Sequence, residues 1–330
     1  MIEEILITAR SNPKVDPGLG IWSWEIPMYL FLGGLTAGIM CFAALIILLR
    51  KEDQAPWAAR KMVIWAPVLL TVGMGALFLD LEHKLYVYRF YTTFQVSSPM
   101  SWGSWILLLV YPASILLILC SIRDAYPRLA GLVDRLSIGH WITTFACRHR
   151  QQVAQWSLIL GVFLGFYTGI LLSAFSARPF WNTGFLAPLF LTSGLSSAAA
   201  LVVLGSRNPS ERLMFARYDI GLISLELALI ALLLVNLATG TSVQLDALSH
   251  VISGGFAISF WLYFVCLGLL LPLLLNYLEI SGRRIWLFVS PVLVLYGGYM
   301  LRLITVEVGQ VSRWTSYVQS FDPALLDLLR

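Results

Sequence analysis

The sequence runs to 330 residues, of which 58% are hydrophobic and only 12% charged, with a mean hydropathy of +0.80 and a formal net charge of +4. Soluble domains carry roughly 25% charged residues, so this much apolar surface requires a bilayer to cover it. A disordered tail, a disulfide-rich secreted module and a nucleic-acid binder are excluded, the last because the basic residues sit in separate short loops.

A helix crosses the hydrocarbon core with about 20 mostly apolar residues. Eight segments meet that length, at 26–49, 62–81, 104–121, 153–174, 186–205, 213–235, 251–275 and 285–305. The first has no basic region immediately before it and no clear cleavage site, so it is expected to be a retained helix rather than a signal peptide. The third is the shortest and extends back at most to Trp102. A barrel would need short alternating strands, and these runs are too long and too evenly apolar. The expected fold is an all-α polytopic membrane protein. It is one integral domain over residues 1–330, with eight transmembrane helices arranged as two four-helix bundles.

Loop charges set the expected orientation. The loops at 50–61, 123–151, 206–217 and 279–284 hold fourteen basic residues, among them Arg50, Lys51, Arg128, Arg135, Arg207, Arg283 and Arg284. The opposite side holds seven: Arg10, Lys14, Lys84, Arg89, Arg178, Arg313 and Arg330. The positive-inside rule puts the richer loops in the cytoplasm, and both termini then face outward. Trp22, Trp24, Trp102, Trp105 and Trp181 fall near the outward helix ends, where an aromatic belt belongs. No long hydrophilic segment is present to form a soluble catalytic domain.

Cofactor signals are sparse. His83 and His250 lie near outward helix ends, and His140 and His149 lie in the 123–151 loop. No histidine sits mid-helix with a partner, which argues against intrinsic haem. Cys41, Cys120, Cys147 and Cys266 are isolated, unlike iron–sulfur or metal ligands, and read as small apolar residues. A disulfide is disfavoured by their placement in helices and on the reducing side. No nucleotide-binding glycine motif occurs in a strand–helix context.

Polar residues are more informative. Glu25 opens the first span. Asp80, Glu82 and His83 cluster at the end of the second, and Ser98, Ser101 and Ser104 surround Trp102. Such a group suits a quinone head group, whose carbonyls accept hydrogen bonds and whose reduced form must release protons. It equally suits a solvated interface held by ion pairs. Glu226 falls well inside the sixth span, where an acid is expensive and functional by default. It is either a proton-handling group or one half of a buried structural pair with Arg302. Asp219 lies two helical turns away on a similar face.

Local strings also resemble a known family. They are Trp24-Glu25-Ile26-Pro27-Met28-Tyr29-Leu30-Phe31-Leu32-Gly33-Gly34-Leu35-Thr36-Ala37-Gly38, then Leu79-Asp80-Leu81 with Ser98-Pro99-Met100-Ser101-Trp102-Gly103-Ser104-Trp105. They continue through Tyr167-Thr168-Gly169, Arg178-Pro179-Phe180-Trp181-Asn182 and Thr192-Ser193-Gly194, to Leu301-Arg302 and Gly309-Gln310. This ordered set resembles the NrfD/PsrC family, the integral membrane quinone-reactive subunits of polysulfide-reductase-like respiratory oxidoreductases. Where many relatives have a proline after the Asp-Leu pair, this protein has Glu82-His83-Lys84.

The resemblance implies a bacterial or archaeal cytoplasmic (inner) membrane. It implies menaquinone or ubiquinone as exchangeable substrate, with no haem or iron–sulfur cluster in this chain. The implied partners are a four-cluster iron–sulfur subunit and a molybdopterin catalytic subunit, with a multihaem cytochrome as the alternative. It places the quinone pocket among the first helices, near Glu25, Asp80, His83, Trp102 and Tyr111. The residues read as handling protons are Glu25 and Asp80 there, and Glu226 by its position inside the sixth span. Two other readings stand beside it. A secondary transporter would use the embedded Glu226 and Arg302, and a pure anchor would use neither cluster.

Overall fold

A computed structural model describes residues 22–281 and 288–312. Arg10, Lys14, Arg283, Arg284, Arg313 and Arg330 and the expected start of the last span at 285 lie outside those residues. Among the described residues, eight helices are long and apolar enough to cross a membrane. They are α1 (Glu25–Leu48), α2 (Trp57–Asp80), α3 (Pro99–Leu119), α4 (Arg150–Ser173), α5 (Leu186–Gly205), α6 (Pro209–Ala238), α7 (Ser259–Ile280) and α8 (Val289–Val311). Among the described residues there is no strand. The protein is an eight-span, all-helical membrane protein.

Proline and capping chemistry start several of these helices. Pro99 and Pro209 take first-turn positions, where a missing N–H costs nothing, and Asn208 caps α6 by accepting from Ser210 N at 3.1 Å. Interiors are apolar all round, as lipid and protein both demand. The seventh span differs from the 251–275 expected of it. Residues Ser242–Ile252 form a separate helix, opened by a Thr241/Gln244 capping box. The backbone then breaks at Ser253-Gly254-Gly255 before α7 begins at Ser259. Hydropathy reads through this break because Val251, Ile252, Phe256 and Ile258 are apolar. From Ser259 to Leu270 α7 is wound as a wide π-helix, ahead of Pro272.

Contacts close two rings. α1, α2, α3 and α4 pack in sequence around one bundle, and α5, α6, α7 and α8 around the other. α1 and α5 join them, with α4 and α8 adding further contact across the seam. Within the first ring α2 and α3 touch least. Short loops at 49–56 and 206–208, with the segment 120–149, lie on one face of the molecule, called here the basic face. Segments 81–98, 174–185 and 239–258 lie on the opposite face.

The seam between bundles depends on small residues. A Cβ added at Gly38 would overlap the Gly194 carbonyl oxygen, and one added at Gly194 would overlap the Gly34 carbonyl. Backbones can approach this closely only where side chains are absent. Gly194→Ala is therefore expected to destabilise the protein by about 2 kcal/mol or more, the scale of overpacking. Gly221→Ala, whose added Cβ meets nothing within 4 Å, should not lower stability, because alanine favours a helix interior over glycine. Unfolding of both variants in detergent measures the difference, and equal midpoints would refute the seam's dependence on Gly194.

Candidate functional site

The first bundle opens into a cavity of about 480 Å³ at the face opposite the basic loops, within the range of small-molecule sites. α1 contributes Ile26, Tyr29 and Leu30; α2 contributes residues from Thr71 to Asp80; and α3 contributes Met100, Ser104 and Leu107. α4 closes the back with Tyr167, Leu171 and Leu172. The loose α2–α3 contact leaves this room. The lining is mainly apolar, and its polar members are few: Tyr29, Thr71, Asp80, Tyr91, Ser104 and Tyr167.

A short helix, Arg89–Thr92, roofs the cavity. Serines fasten it to α3. Ser104 Oγ donates to Phe90 O at 2.7 Å, and Ser101 Oγ accepts from Gln95 N at 3.0 Å. Trp102 Nε1 donates to Val96 O at 2.8 Å. Trp102 is otherwise exposed and lies outside the lining. Its indole and the serines around it hold the roof.

The other expected site residues take distinct positions. Asp80 is in the wall of the cavity. Glu25 lies just behind that wall in the first turn of α1, and the two carboxylates are near enough for their charges to interact. Glu25 Oε2 is buried with no hydrogen-bond partner among the described residues. His83 lines a second cavity, also of about 480 Å³, with Tyr86, Arg89, Gln95 and Ser98. Leu81, Phe90 and Met100 line both cavities and so form their common wall. Tyr111 stands at the α2–α3 seam, outside the lining. Thr71 gives its proton to Pro67 O at 2.7 Å, so Tyr111 OH donates to Thr71 Oγ1 at 3.1 Å.

Three phenols that polarity at helix ends did not single out converge on the cavity. The phenols of Tyr29, Tyr91 and Tyr167 lie near enough to interact with one another. Burial, with Tyr111 nearby, raises the Tyr91 phenol above its usual value, so it stays a hydrogen-bond donor at physiological pH. Gly103 makes room for the Tyr167 ring, which a Cβ at that position would overlap. Tyr29, Gly103 and Tyr167 all fall within the strings that carry the family resemblance, and that was their signal.

With this geometry in place, residues 12–312 match the family described as Polysulphide reductase, NrfD. The protein belongs to the NrfD/PsrC family. It is 28% identical over 305 residues to one of the polysulfide reductase chains of Wolinella succinogenes, covering 88% of this chain and 94% of that one. Protein NrfD of Escherichia coli is 30% identical over 307 residues, with coverage of 88% and 96%. One of the selenate reductase subunits of Mesobacillus selenatarsenatis is 24% identical over 325 residues, with coverage of 88% and 74%.

The family strings, scattered in sequence, meet in space in this NrfD/PsrC protein. The Gln310 side chain clamps the Trp22 backbone, accepting from its N–H and donating to its carbonyl, both at 2.9 Å. Arg178 donates to Gln310 O at 2.6 Å. Trp22 stacks on Trp181 at 5.3 Å between centroids, and Trp181 Nε1 donates to Thr305 O at 2.7 Å. Trp22 itself lines the cavity, so these contacts brace its rim from the second bundle.

Glu226 lies away from the cavity, fully inside the second bundle. Arg302, equally buried, donates to Ser193 Oγ and Gly298 O at 2.7 Å and to Phe190 O at 2.9 Å. Glu226 lies near enough to Arg302 and Ser193 to interact with them electrostatically. Glu226 Oε1 has no partner among the described residues. Toward the basic face, Asp219 accepts from Ser196 Oγ at 2.5 Å and from Asn276 Nδ2 at 2.8 Å. Asn276 Oδ1 accepts from Ser290 Oγ at 2.6 Å. Among the described residues no group of three or more His, Cys, Asp or Glu side chains is gathered to hold a metal, and the four cysteines are free.

Proposed function

We propose that this protein is the quinone-reactive membrane subunit of a respiratory oxidoreductase. The observation that carries this reading is the apolar cavity in the first bundle, with Asp80 and three phenols among its few polar groups. Family membership supports it. Menaquinone or ubiquinone is the exchangeable substrate. The apolar walls suit a ring and an isoprenoid tail, and the phenols suit the ring oxygens. Asp80 takes a proton from a quinol hydroxyl, and Glu25 beside it shares that load. His83, in the adjoining cavity, lies on the route from Asp80 to water.

The soluble partner docks on the cavity face. It is a four-cluster iron–sulfur subunit that takes the two electrons and passes them to a molybdopterin subunit, or a multihaem cytochrome in its place. The two protons leave on the same face. Reverse flow, with quinone reduced, uses the same groups. The catalytic partner selects the terminal substrate. Asp80→Asn and Glu25→Gln in the purified complex should each slow quinol oxidation by about a hundredfold while assembly is preserved. Normal turnover across pH in both variants would refute the acid–base roles. Solute flux through sealed vesicles lacking the partners would instead support a transporter.

The orientation that fits this scheme puts the cavity face outward in the inner membrane and the basic loops in the cytoplasm, following the charge bias. Tags inserted in the 123–151 loop should be shielded from impermeant label on intact cells, and tags at either terminus should react. The opposite pattern would reverse the side on which the partner docks.

Energy conservation supplies the role for Glu226. Quinol oxidised at one face releases protons and electrons on that face, which alone moves no charge across the membrane. A proton route through the second bundle, by way of Glu226 and the Asp219–Asn276–Ser290 network, adds that movement. Glu226 and Asp219 are two helical turns apart, so side chains and water must bridge the gap. Glu226→Gln should lower protons translocated per electron more than it lowers electron transfer in vesicles. An unchanged ratio in a well-assembled variant would eliminate the coupling role.

A further inference from the structure

The segment between α3 and α4 is not a plain loop. It folds into three short helices, Ile122–Ala125, Pro127–Asp134 and Ser137–Arg148. Its depth is fixed by its contacts. Ala130 and Ala146 share a core with Ile47, Val63, Leu119 and Val153, which lie in the end turns of α1, α3 and α4 and near the start of α2. Cys120 Sγ donates to Ala146 O at 3.3 Å, and Tyr126 OH donates to Lys61 O at 3.0 Å. The segment therefore lies alongside the ends of the spans, at the level where hydrocarbon gives way to water.

Its inner side is spent on that core, and its outer side carries an exposed apolar stripe among polar residues. Ile138, Trp141 and Phe145, spaced along one stripe of the last helix, are exposed to 74%, 68% and 43%. Leu132 and Leu136 are exposed to 62% and 68%. Beside them stand Arg128, Arg135 and Arg148, all exposed or half-exposed. Two of the nearby acids are engaged elsewhere, and Asp124, exposed at the start of the segment, makes no ion pair among the described residues. Asp134 pairs with Arg123 at 3.1 Å, and Glu52 pairs with Arg150 at 2.5 Å and Arg60 at 3.8 Å. Arg128, Arg135 and Arg148 have no hydrogen bond or ion pair among the described residues.

We propose that residues 122–148 form an interfacial platform that seats on the membrane and binds anionic phospholipid head groups through Arg128, Arg135 and Arg148. An apolar stripe at interfacial depth, flanked by unpaired arginines, matches both parts of such a lipid. Ile138, Trp141 and Phe145 enter the acyl boundary, and the guanidiniums reach phosphates at its edge. Arginine is suited to this because its planar fork pairs with two phosphate oxygens at once. The platform contacts the ends of α1, α3 and α4, so bound lipid braces the first bundle from the face opposite the cavity.

The full-length protein in vesicles of equal parts phosphatidylglycerol and phosphatidylcholine tests this. A spin label at Ile138→Cys, with Cys147 and Cys266 replaced by Ser, should collide more with oxygen than with a water-soluble nickel chelate. Greater collision with nickel would put the stripe in water, and protection from both would put a protein on it; either overturns the proposal. The second measurement is phosphatidylglycerol retained after purification in detergent. Joint replacement Arg128→Gln, Arg135→Gln and Arg148→Gln should weaken retention by about fivefold per arginine. A charge-matched control, Lys51→Gln with Arg207→Gln and Arg217→Gln, removes three exposed cations from the same face and should retain the lipid. Equal retention or equal loss in the two variants would show that these arginines form no site.

Discussion

The close crossing of α1 and α5 is the constraint on which the rest of the molecule depends. Gly34 and Gly38 on one helix meet Gly194 on the other at backbone contact. In a membrane, lipid tails compete with apolar side chains for every surface, so helices associate through close packing and hydrogen bonds rather than through burial from water. A three-glycine contact supplies such packing. It also creates the niche for Arg302, whose guanidinium lies against Gly34 and donates to Phe190 O on α5. One cation thereby ties α8 to α5 and α1 at the seam of the two bundles.

With the seam fixed, the bundles can differ. The second is tight, and several of its polar groups bond to side chains and to carbonyls such as Gly298 O, Phe190 O and Pro272 O. In the first, α2 stands away from α3 at the cavity end, held along the seam by the Tyr111–Thr71 hydrogen bond. That slack is the cavity. The cavity keeps its shape because its roof is pinned to α3 by Ser101, Trp102 and Ser104 and its rim is clamped by Gln310. A rigid frame on one side of a void, with a loosely packed wall on the other, is the arrangement needed for an exchangeable apolar ligand.

The eight spans were legible because bilayer thickness imposes a length that sequence must obey. Two features were not. The break before α7 rests on Gly254-Gly255 flanked by apolar residues, where hydropathy registers continuity and only backbone conformation registers a stop. The 122–148 platform escaped because its apolar stripe is short and mixed with arginine, so it reads as a basic loop. Among the candidate site residues, Glu25 and Asp80 came together because both terminate helices on the same face. Trp102 and Tyr111 fall outside the lining, and the phenols of Tyr29, Tyr91 and Tyr167 fall inside it. Helices that are apolar all round have no pattern that says which side faces a void, and the orientation of an end residue depends on the loop beyond it.

α6 carries three buried acids, Glu211, Asp219 and Glu226, at spacings of eight and seven residues, so they fall on similar faces of one helix. Their surroundings separate their roles. Glu211 accepts from Ala58 N at 2.9 Å and Ser206 Oγ at 2.6 Å, which caps the first turn of α2 and uses both helices' ends for structure. Asp219 has one donor on each oxygen, from Ser196 and Asn276. Glu226 lies within electrostatic reach of Arg302 and keeps Oε1 without a partner among the described residues. Protonating a buried carboxylate whose oxygens each accept from a donor disturbs one of those bonds. A carboxylate with a free oxygen beside a cation can gain and lose a proton while the surrounding hydrogen bonds persist. That difference in bonding, more than depth in the membrane, is why the coupling role is proposed for Glu226 and a structural one suits Glu211.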